Sequence, residues 1–299
     1  MVHDKPFVDR PMAATDVADR AATSAAASWA LDEPVLLRRG MNALYACGRV
    51  VLRVGHTTAP ARLAHDLVTV MRAHGVPTVA PIAGLTGSFE GVSVTAWERV
   101  APVEATIDWA VVGASVRLVH EVDPGEIPDG YPVPSPALFP WWDFDALLAD
   151  VADSIDGPAL RGIETAIRRH DGWQPALAVD AVVCHGDVHP GNVLVSATGP
   201  LLIDWDLLCR AAPAWDHAML TSYADRWGGD VDAYPAFAEG YGANMADDEL
   251  TIALADLRNV AATLMRVRSG RSSPAAAEEA NRRLRYWRGD HDAPMWRSQ

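Results

Sequence analysis

Apolar positions along the chain change their period, and each change marks an element. Across residues 15–30, Val17, Ala21, Ala25 and Trp29 recur at helical spacing in an alanine-rich stretch, which predicts an opening helix capped by Thr15 or Asp16. Pro34 then favours extended chain. Short apolar runs at 35–38, 43–46 and 49–54 are separated by Arg39-Gly40-Met41-Asn42 and Cys47-Gly48, the pattern of three antiparallel strands. Helical periodicity returns at 60–74 through Leu63, Leu67, Val70 and Met71, and Gly75-Val76-Pro77 ends it. Two further strands are expected at 79–82 and 92–97, flanking Thr86-Gly87-Ser88. Glu98-Arg99-Val100-Ala101-Pro102 is a connector, and it places a domain boundary between 1–100 and 101–299.

Beyond that boundary the pattern is mostly helical, at 106–122, 145–155, 158–170, 214–226, 235–244, 247–267 and 273–287. Residues 123–140 hold six prolines and form an irregular excursion that ends at Trp141-Trp142-Asp143. These aromatics either line a ligand pocket or fasten the loop to the core. The ending, 289–299, is polar and expected to be loosely ordered.

Composition narrows the function classes. With 299 residues, 49% of them hydrophobic, the chain can bury a substantial core. A net charge of −14 argues against a nucleic-acid partner, which needs clustered Lys and Arg. No apolar run has signal-peptide or membrane-spanning character, and the three cysteines read as reduced, buried thiols of a cytoplasmic protein.

The chemistry concentrates in residues 182–206. A short β-branched run at 181–184 delivers a polar loop carrying His185, Asp187, His189 and Asn192. Apolar runs at 193–195 and 201–203, joined by Ala197-Thr198-Gly199, form a hairpin that returns the chain to Asp204 and Asp206. Two chemistries fit. His185, Asp187 and His189 alternate and could ligate zinc or iron for hydrolysis, with Asp204, Asp206 and His217 completing a two-metal site. Alternatively, one carboxylate activates a hydroxyl while an Asn and a second Asp hold Mg²⁺ on nucleotide phosphates. Phosphoryl transfer also gives a use to the N-terminal sheet. Its first turn, Gly40 to Asn42, could turn backbone amides to an anion, and Arg53 stands in an apolar strand on the face of Val51, opposite Leu52.

His185-Gly186-Asp187-x-His189-x-x-Asn192, followed by Ile203-Asp204-Trp205-Asp206, resembles the catalytic and metal-binding motifs of the aminoglycoside phosphotransferase and choline kinase-like family. The resemblance covers about two-thirds of the chain, residues 35–215; Leu118-Val119-His120 is a weaker match within it, and Trp215-Asp216 resembles the family's later Asp, which braces the catalytic loop. It implies an α+β, protein-kinase-like two-lobe fold, with a small antiparallel N-terminal sheet and a larger helical C-terminal lobe. It implies Asp187 as catalytic base, Asn192 and Asp204 as Mg²⁺ ligands, and Arg53 in place of the phosphate-contacting lysine. Glu98, Arg99 and Val100 would meet the base of ATP, with GTP as the alternative donor. His185, His189, Asp206 and Asp216 would support the loop.

The sequence departs from the family where the following helix should carry a Glu to pair with the cation; Asp66 is the nearest acid there. A nucleotide-binding homologue without catalysis is therefore a further alternative. The acceptor would be a hydroxylated small molecule docked near Trp141, Trp142 and Asp143, and acids at 225–239 suit a cationic one such as an aminoglycoside or amino sugar. A monomer or homodimer is expected, with neither nucleic acid nor membrane as partner.

Overall fold

The structure is a computed structural model that describes residues 15–56 and 59–297. Helix α1 (Thr15–Ser28) is followed by strands β1 (Val35–Arg39), β2 (Ala43–Cys47) and β3 (Val50–Gly55), helix α2 (Ala61–Ala73), and strands β4 (Pro81–Phe89) and β5 (Val92–Glu98). The strands form one antiparallel sheet in the order β1-β2-β3-β5-β4. Period-two alternation decides its faces. Leu52, Val54, Val94 and Ala96 are fully buried on one side, against Ala18, Ala21, Ala22 and Ala25 of α1. The alanine-rich face, with no bulk beyond Cβ, lets that helix lie close to the sheet. Arg53 and its cross-strand partner Thr95 occupy the other face.

The expected strand at 92–97 is β5, whereas the one expected at 79–82 is corrected by the structure. Thr86-Gly87-Ser88 is not a loop: those residues pair with Thr95, Val94 and Ser93 inside the long strand β4, beyond a register irregularity. The reversal lies at Glu90 and Gly91, both at positive φ, where Phe89 faces Val92 across a two-residue turn.

The remaining elements are α3 (Trp109–His120), α4 (Phe144–Val151), α5 (Gly157–Arg169), the short α6 (Trp173–Ala176), β6 (Val182–Cys184), β7 (Val193–Ser196), β8 (Gly199–Leu202), β9 (Cys209–Ala211), α7 (Ala214–Thr221), α8 (Tyr223–Trp227), α9 (Ala233–Tyr241), α10 (Glu249–Gly270) and α11 (Pro274–Arg288). Central to them is α10, whose Leu254, Leu257, Val260 and Leu264 are buried among Trp142, Trp215 and Trp287. Helices α3 and α9 pack so closely that a Cβ on Gly113 would strike the Phe237 carbonyl, and one on Gly240 the Ala110 carbonyl.

The predicted helix at 214–226 is two helices parted at Ser222. The polar ending is docked rather than loose: Trp296 is buried against Trp227 and Tyr286, and Arg283 donates to the Arg297 carbonyl. Among the described residues no helix is long and apolar enough to cross a membrane.

Sheet and helices meet along a hydrogen-bonded seam. Leu202 N–H donates to the Pro77 carbonyl (2.9 Å), Trp205 Nε1 to Thr78 Oγ1 (3.2 Å) and Val103 N–H to the Val195 carbonyl (2.9 Å). The polar loop of residues 185–192 and the end of the β7–β8 hairpin lie beside that seam.

Candidate active site

Strand β6 pairs with β9, Cys184 opposite Cys209, and ends at the loop that carries the polar residues. Asp216 and Trp215 hold this loop. Asp216 accepts from the N–H groups of His185 (2.8 Å) and Gly186 (2.9 Å) and from His120 Nε2 (3.0 Å), and Trp215 Nε1 donates to the Gly186 carbonyl (3.0 Å). Gly186 has φ +91°, and a Cβ there would collide with the Leu207 carbonyl, so only glycine makes this turn. His185 is fully buried against Trp205; its Nε2 donates to the Ile203 carbonyl (3.1 Å), tying the loop to the hairpin end.

Asp187 emerges from this support half-buried. Its Oδ2 accepts from Asn192 Nδ2 (3.1 Å) and lies 3.3 Å from His189 Nε2, and its Oδ1 accepts from Arg258 (3.2 Å). Burial alone would raise the carboxyl, but His189, Arg258 and His185 outweigh it and hold Asp187 well below the usual carboxylate range. It is an ionised base at neutral pH. Asn192 spends its amide nitrogen on Asp187 (backbone carbonyl 2.9 Å, and Oδ2), and among the described residues no hydrogen bond engages its amide oxygen.

Asp204 terminates the hairpin in a left-handed conformation, φ 67° and ψ 73°, an uncommon state for a residue with a Cβ and of a kind that concentrates at functional sites. Burial and the neighbouring Asp206 and Asp187 charges raise its carboxyl against the pull of Arg53. From strand β3 of the sheet, one guanidinium nitrogen of Arg53 reaches Asp204 (3.2 Å) and also Asp206. Tyr131, from the proline-rich segment, anchors the same corner by donating to the Trp205 carbonyl (3.0 Å).

The predicted set is thus partly assembled. Asp187, Asn192, Asp204, Asp206 and Arg53 converge, with His185, His189 and Asp216 around them. The turn Gly40 to Asn42 lies at the sheet's tip, where Gly40 N–H donates to the Asn42 carbonyl (3.0 Å) and the Asn42 side chain packs on Gly55. Glu98 and Arg99 N–H groups are spent on the Ala80 and Arg49 carbonyls (2.9 and 2.8 Å), and among the described residues no backbone partner takes the Val100 N–H.

The structure bears on four of the sequence readings. Asp66 does not meet Arg53; it pairs with Arg62 one helical turn away on α2. Trp142 is 2% exposed among Phe144, Trp173 and Trp215, so it is core beneath the loop and not a pocket wall. Asp143 caps α4 by accepting from Ala146 N–H (3.1 Å). Trp141 stays partly exposed, stacked on Phe139. The zinc arrangement fails on hydrogen bonding. His185 has its Nε2 on Ile203, His189 accepts Gly191 N–H at Nδ1 (3.0 Å) and faces Asp187 with Nε2, and His217 is buried beside Tyr234, Phe237 and Tyr241. A tighter trio, His120, Cys184 and Asp216, lies within 4.8 Å, but Asp216 is already filled by the loop's N–H groups and His120.

The residue missed entirely is Arg258. It approaches Asp187 from α10, more than seventy positions along the chain, and no local pattern announces it.

A five-stranded antiparallel sheet joined to a helical region, with an Asp-bearing loop and a hairpin ending in Asp at the junction, is the protein-kinase-like architecture of small-molecule phosphotransferases. The chain belongs to the phosphotransferase enzyme family, whose model matches residues 43–254, and this makes it a kinase of the small-molecule type. Comparison with curated proteins finds no match. Among solved structures, the chain is similar to the AMP-bound spectinomycin phosphotransferase APH(9)-Ia, with a TM-score of 0.65 and 14% identity over 88% of this chain and 94% of that one. It is also similar to macrolide 2'-phosphotransferase MphH from Brachybacterium faecium (TM-score 0.56, 20% identity, 88% and 97% covered). A choline/ethanolamine kinase family protein from Mesorhizobium loti gives a TM-score of 0.60 at 17% identity, with 93% and 94% covered. At these identities the likeness is one of fold.

Proposed function

We propose that the chain transfers the γ-phosphate of ATP to a hydroxyl group of a small molecule, with Asp187 as the base. The observation that carries this reading is the Asp187 carboxylate, held ionised by Arg258 and His189 and bonded by Asn192. Residues 1–100 form the nucleotide lobe and 101–299 the acceptor lobe. The Glu98 carbonyl and the Val100 N–H would hold the adenine edge, and the Gly40 to Asn42 turn would cover the phosphates. Related folds support the nucleotide: solved structures of spectinomycin phosphotransferase carry AMP or ADP, and that of amicoumacin kinase hAmiN carries AMP-PNP with Ca²⁺. GTP is the alternative donor. Three buried, free thiols fit a cytoplasmic setting.

The oxygen donors suit magnesium. Asn192 offers its amide oxygen, Asp204 and Asp206 offer carboxylates, and a cation already sits on both carboxylates as the Arg53 guanidinium. When bound there, Mg²⁺ offsets charge on the phosphate oxygens. Arg53, which holds Asp204 and Asp206 through one nitrogen, would exchange those contacts for phosphate when the carboxylates bind Mg²⁺. Its guanidinium would donate two hydrogen bonds where lysine supplies a point charge. Asp187 accepts the hydrogen bond of the acceptor hydroxyl, aligns its oxygen with phosphorus and takes the proton late, as the new O–P bond forms and the bond from the γ-phosphorus to the bridging oxygen breaks, releasing ADP. No raised pKa is needed for that task.

Trp141, partly exposed near the loop, supplies an aromatic wall for the acceptor, for which a hydroxylated antibiotic or an amino sugar is the first class to test. The decisive experiment measures ADP release over aminoglycosides, amino sugars, choline and other hydroxylated compounds, with mass spectrometry for the added phosphoryl group. Asp187→Ala is expected to lower turnover about a thousandfold, about 4 kcal/mol of transition-state stabilisation. Near-normal turnover in that variant removes Asp187 from the role. Asp204→Ala is expected to abolish binding of the Mg²⁺-nucleotide while leaving the fold intact, as read by thermal shift with and without Mg-ATP.

A further inference from the structure

Arg258 projects from the first half of α10 and is mostly buried, with its guanidinium 5.3 Å from the Trp215 ring centroid. One nitrogen donates to Asp187 Oδ1 (3.2 Å) and the other to the Gly186 carbonyl (3.1 Å). The same carbonyl accepts from Trp215 Nε1 (3.0 Å). The guanidinium therefore spans backbone and side chain of adjacent residues, with an aromatic face behind it. An ionised carboxylate has about four acceptor positions. Asn192 and His189 occupy those of Oδ2, and Arg258 takes one of Oδ1. What remains for an incoming hydroxyl is the second position on Oδ1, directly beside Arg258.

We propose that Arg258 is a positioning residue: it fixes the Asp187 carboxylate in the rotamer that offers Oδ1 to the acceptor hydroxyl. This deepens the phosphotransferase reading and rests on it for the identity of the incoming group. Without Arg258, Oδ1 loses its only anchor among the described residues, and the carboxylate can turn about the bonds to Asn192 and His189. Loss of alignment on the scale of an ångström costs about a hundredfold in rate. The cost falls on the chemical step, because Arg258 touches neither Arg53, nor Asp204, nor the turn at Gly40.

Two measurements test this, one of them independent of turnover. Urea unfolding of Arg258→Met, Asp187→Asn and the double variant forms a thermodynamic cycle. Arg258→Met is expected to lower the midpoint by leaving a half-buried carboxylate without its cation, and Asp187→Asn to recover much of that loss. Strictly additive midpoint shifts overturn the contact. With an acceptor from the screen above, Arg258→Met is expected to lower kcat by about 10- to 100-fold with KM for Mg-ATP unchanged, and Arg258→Lys to recover most of the loss. A kcat within twofold of the parent, or equal losses in the Met and Lys variants, overturns the positioning role. Coupling in the cycle without turnover in the parent sinks the phosphotransferase reading and leaves the Arg258 contact standing; turnover without coupling sinks the contact alone.

Discussion

Gly186 and Asp66 show what single residues contribute at this site. Gly186→Ala forces a side chain into the Leu207 carbonyl at a left-handed φ, so it is expected to lower both melting temperature and turnover. Asp66→Ala, by contrast, removes only an exposed pair with Arg62 and is expected to leave nucleotide affinity unchanged in a titration. Arg53→Met is expected to weaken nucleotide binding at least about tenfold, the size of one lost charge-assisted contact. The residues that could be read in advance, Asp187, Asn192, Asp204 and Asp206, sit within twenty positions of one another, where spacing alone implies convergence. The partner of Arg53 could not be read that way. Both its acids come from the end of the β7–β8 hairpin, about 150 positions away, whereas the resemblance called for an acid on the neighbouring helix.

Elements were legible wherever the pattern was long. The helices α1, α2, α3, α5, α10 and α11 and the strands β1 to β3 lie within a few residues of their expected bounds, because each has a sustained apolar face. Failures came where tertiary contact decides. Thr86-Gly87-Ser88 has turn-like composition but is held extended by β5, and the three-residue β9 exists only as the partner of β6. The Trp141-Trp142 pair divided because one ring fits under the loop and the other does not. The closest helix contact depends on two glycines that periodicity ignores. Gly113→Ala is expected to destabilise the fold by about 1–3 kcal/mol through the Phe237 carbonyl, read as a lower urea midpoint with unchanged slope.

For the whole molecule, buried histidines pull the response to pH in opposite directions. Burial holds His65 and His217 down at about 4, so their neutral forms contribute fully above the unfolded value of about 6.5, and this stability is lost as pH falls from there towards 4. His120 runs the other way: burial opposes its charge, but Cys184 and Asp216 prevail and push it up to about 10. Its contribution is complete below about 6.5 and is lost as pH rises towards 10. Urea midpoints are therefore expected to fall on both sides of pH 6.5, each histidine changing stability by at most about 1.4 kcal/mol per pH unit. His120→Gln is expected to flatten the alkaline side alone.

The seam at Thr78 has a mechanical consequence. Because Pro77 and Thr78 are bonded to Leu202 and Trp205, the sheet cannot swing from the 98–102 connector as a door on one hinge. Any opening must rotate about an axis through these bonds, so displacement grows with distance from them. Spin labels at the exposed Ala73 and Ala197, which flank the seam in the chain, would keep their separation through a nucleotide cycle, while a label at Gly40 would travel furthest from one on α10.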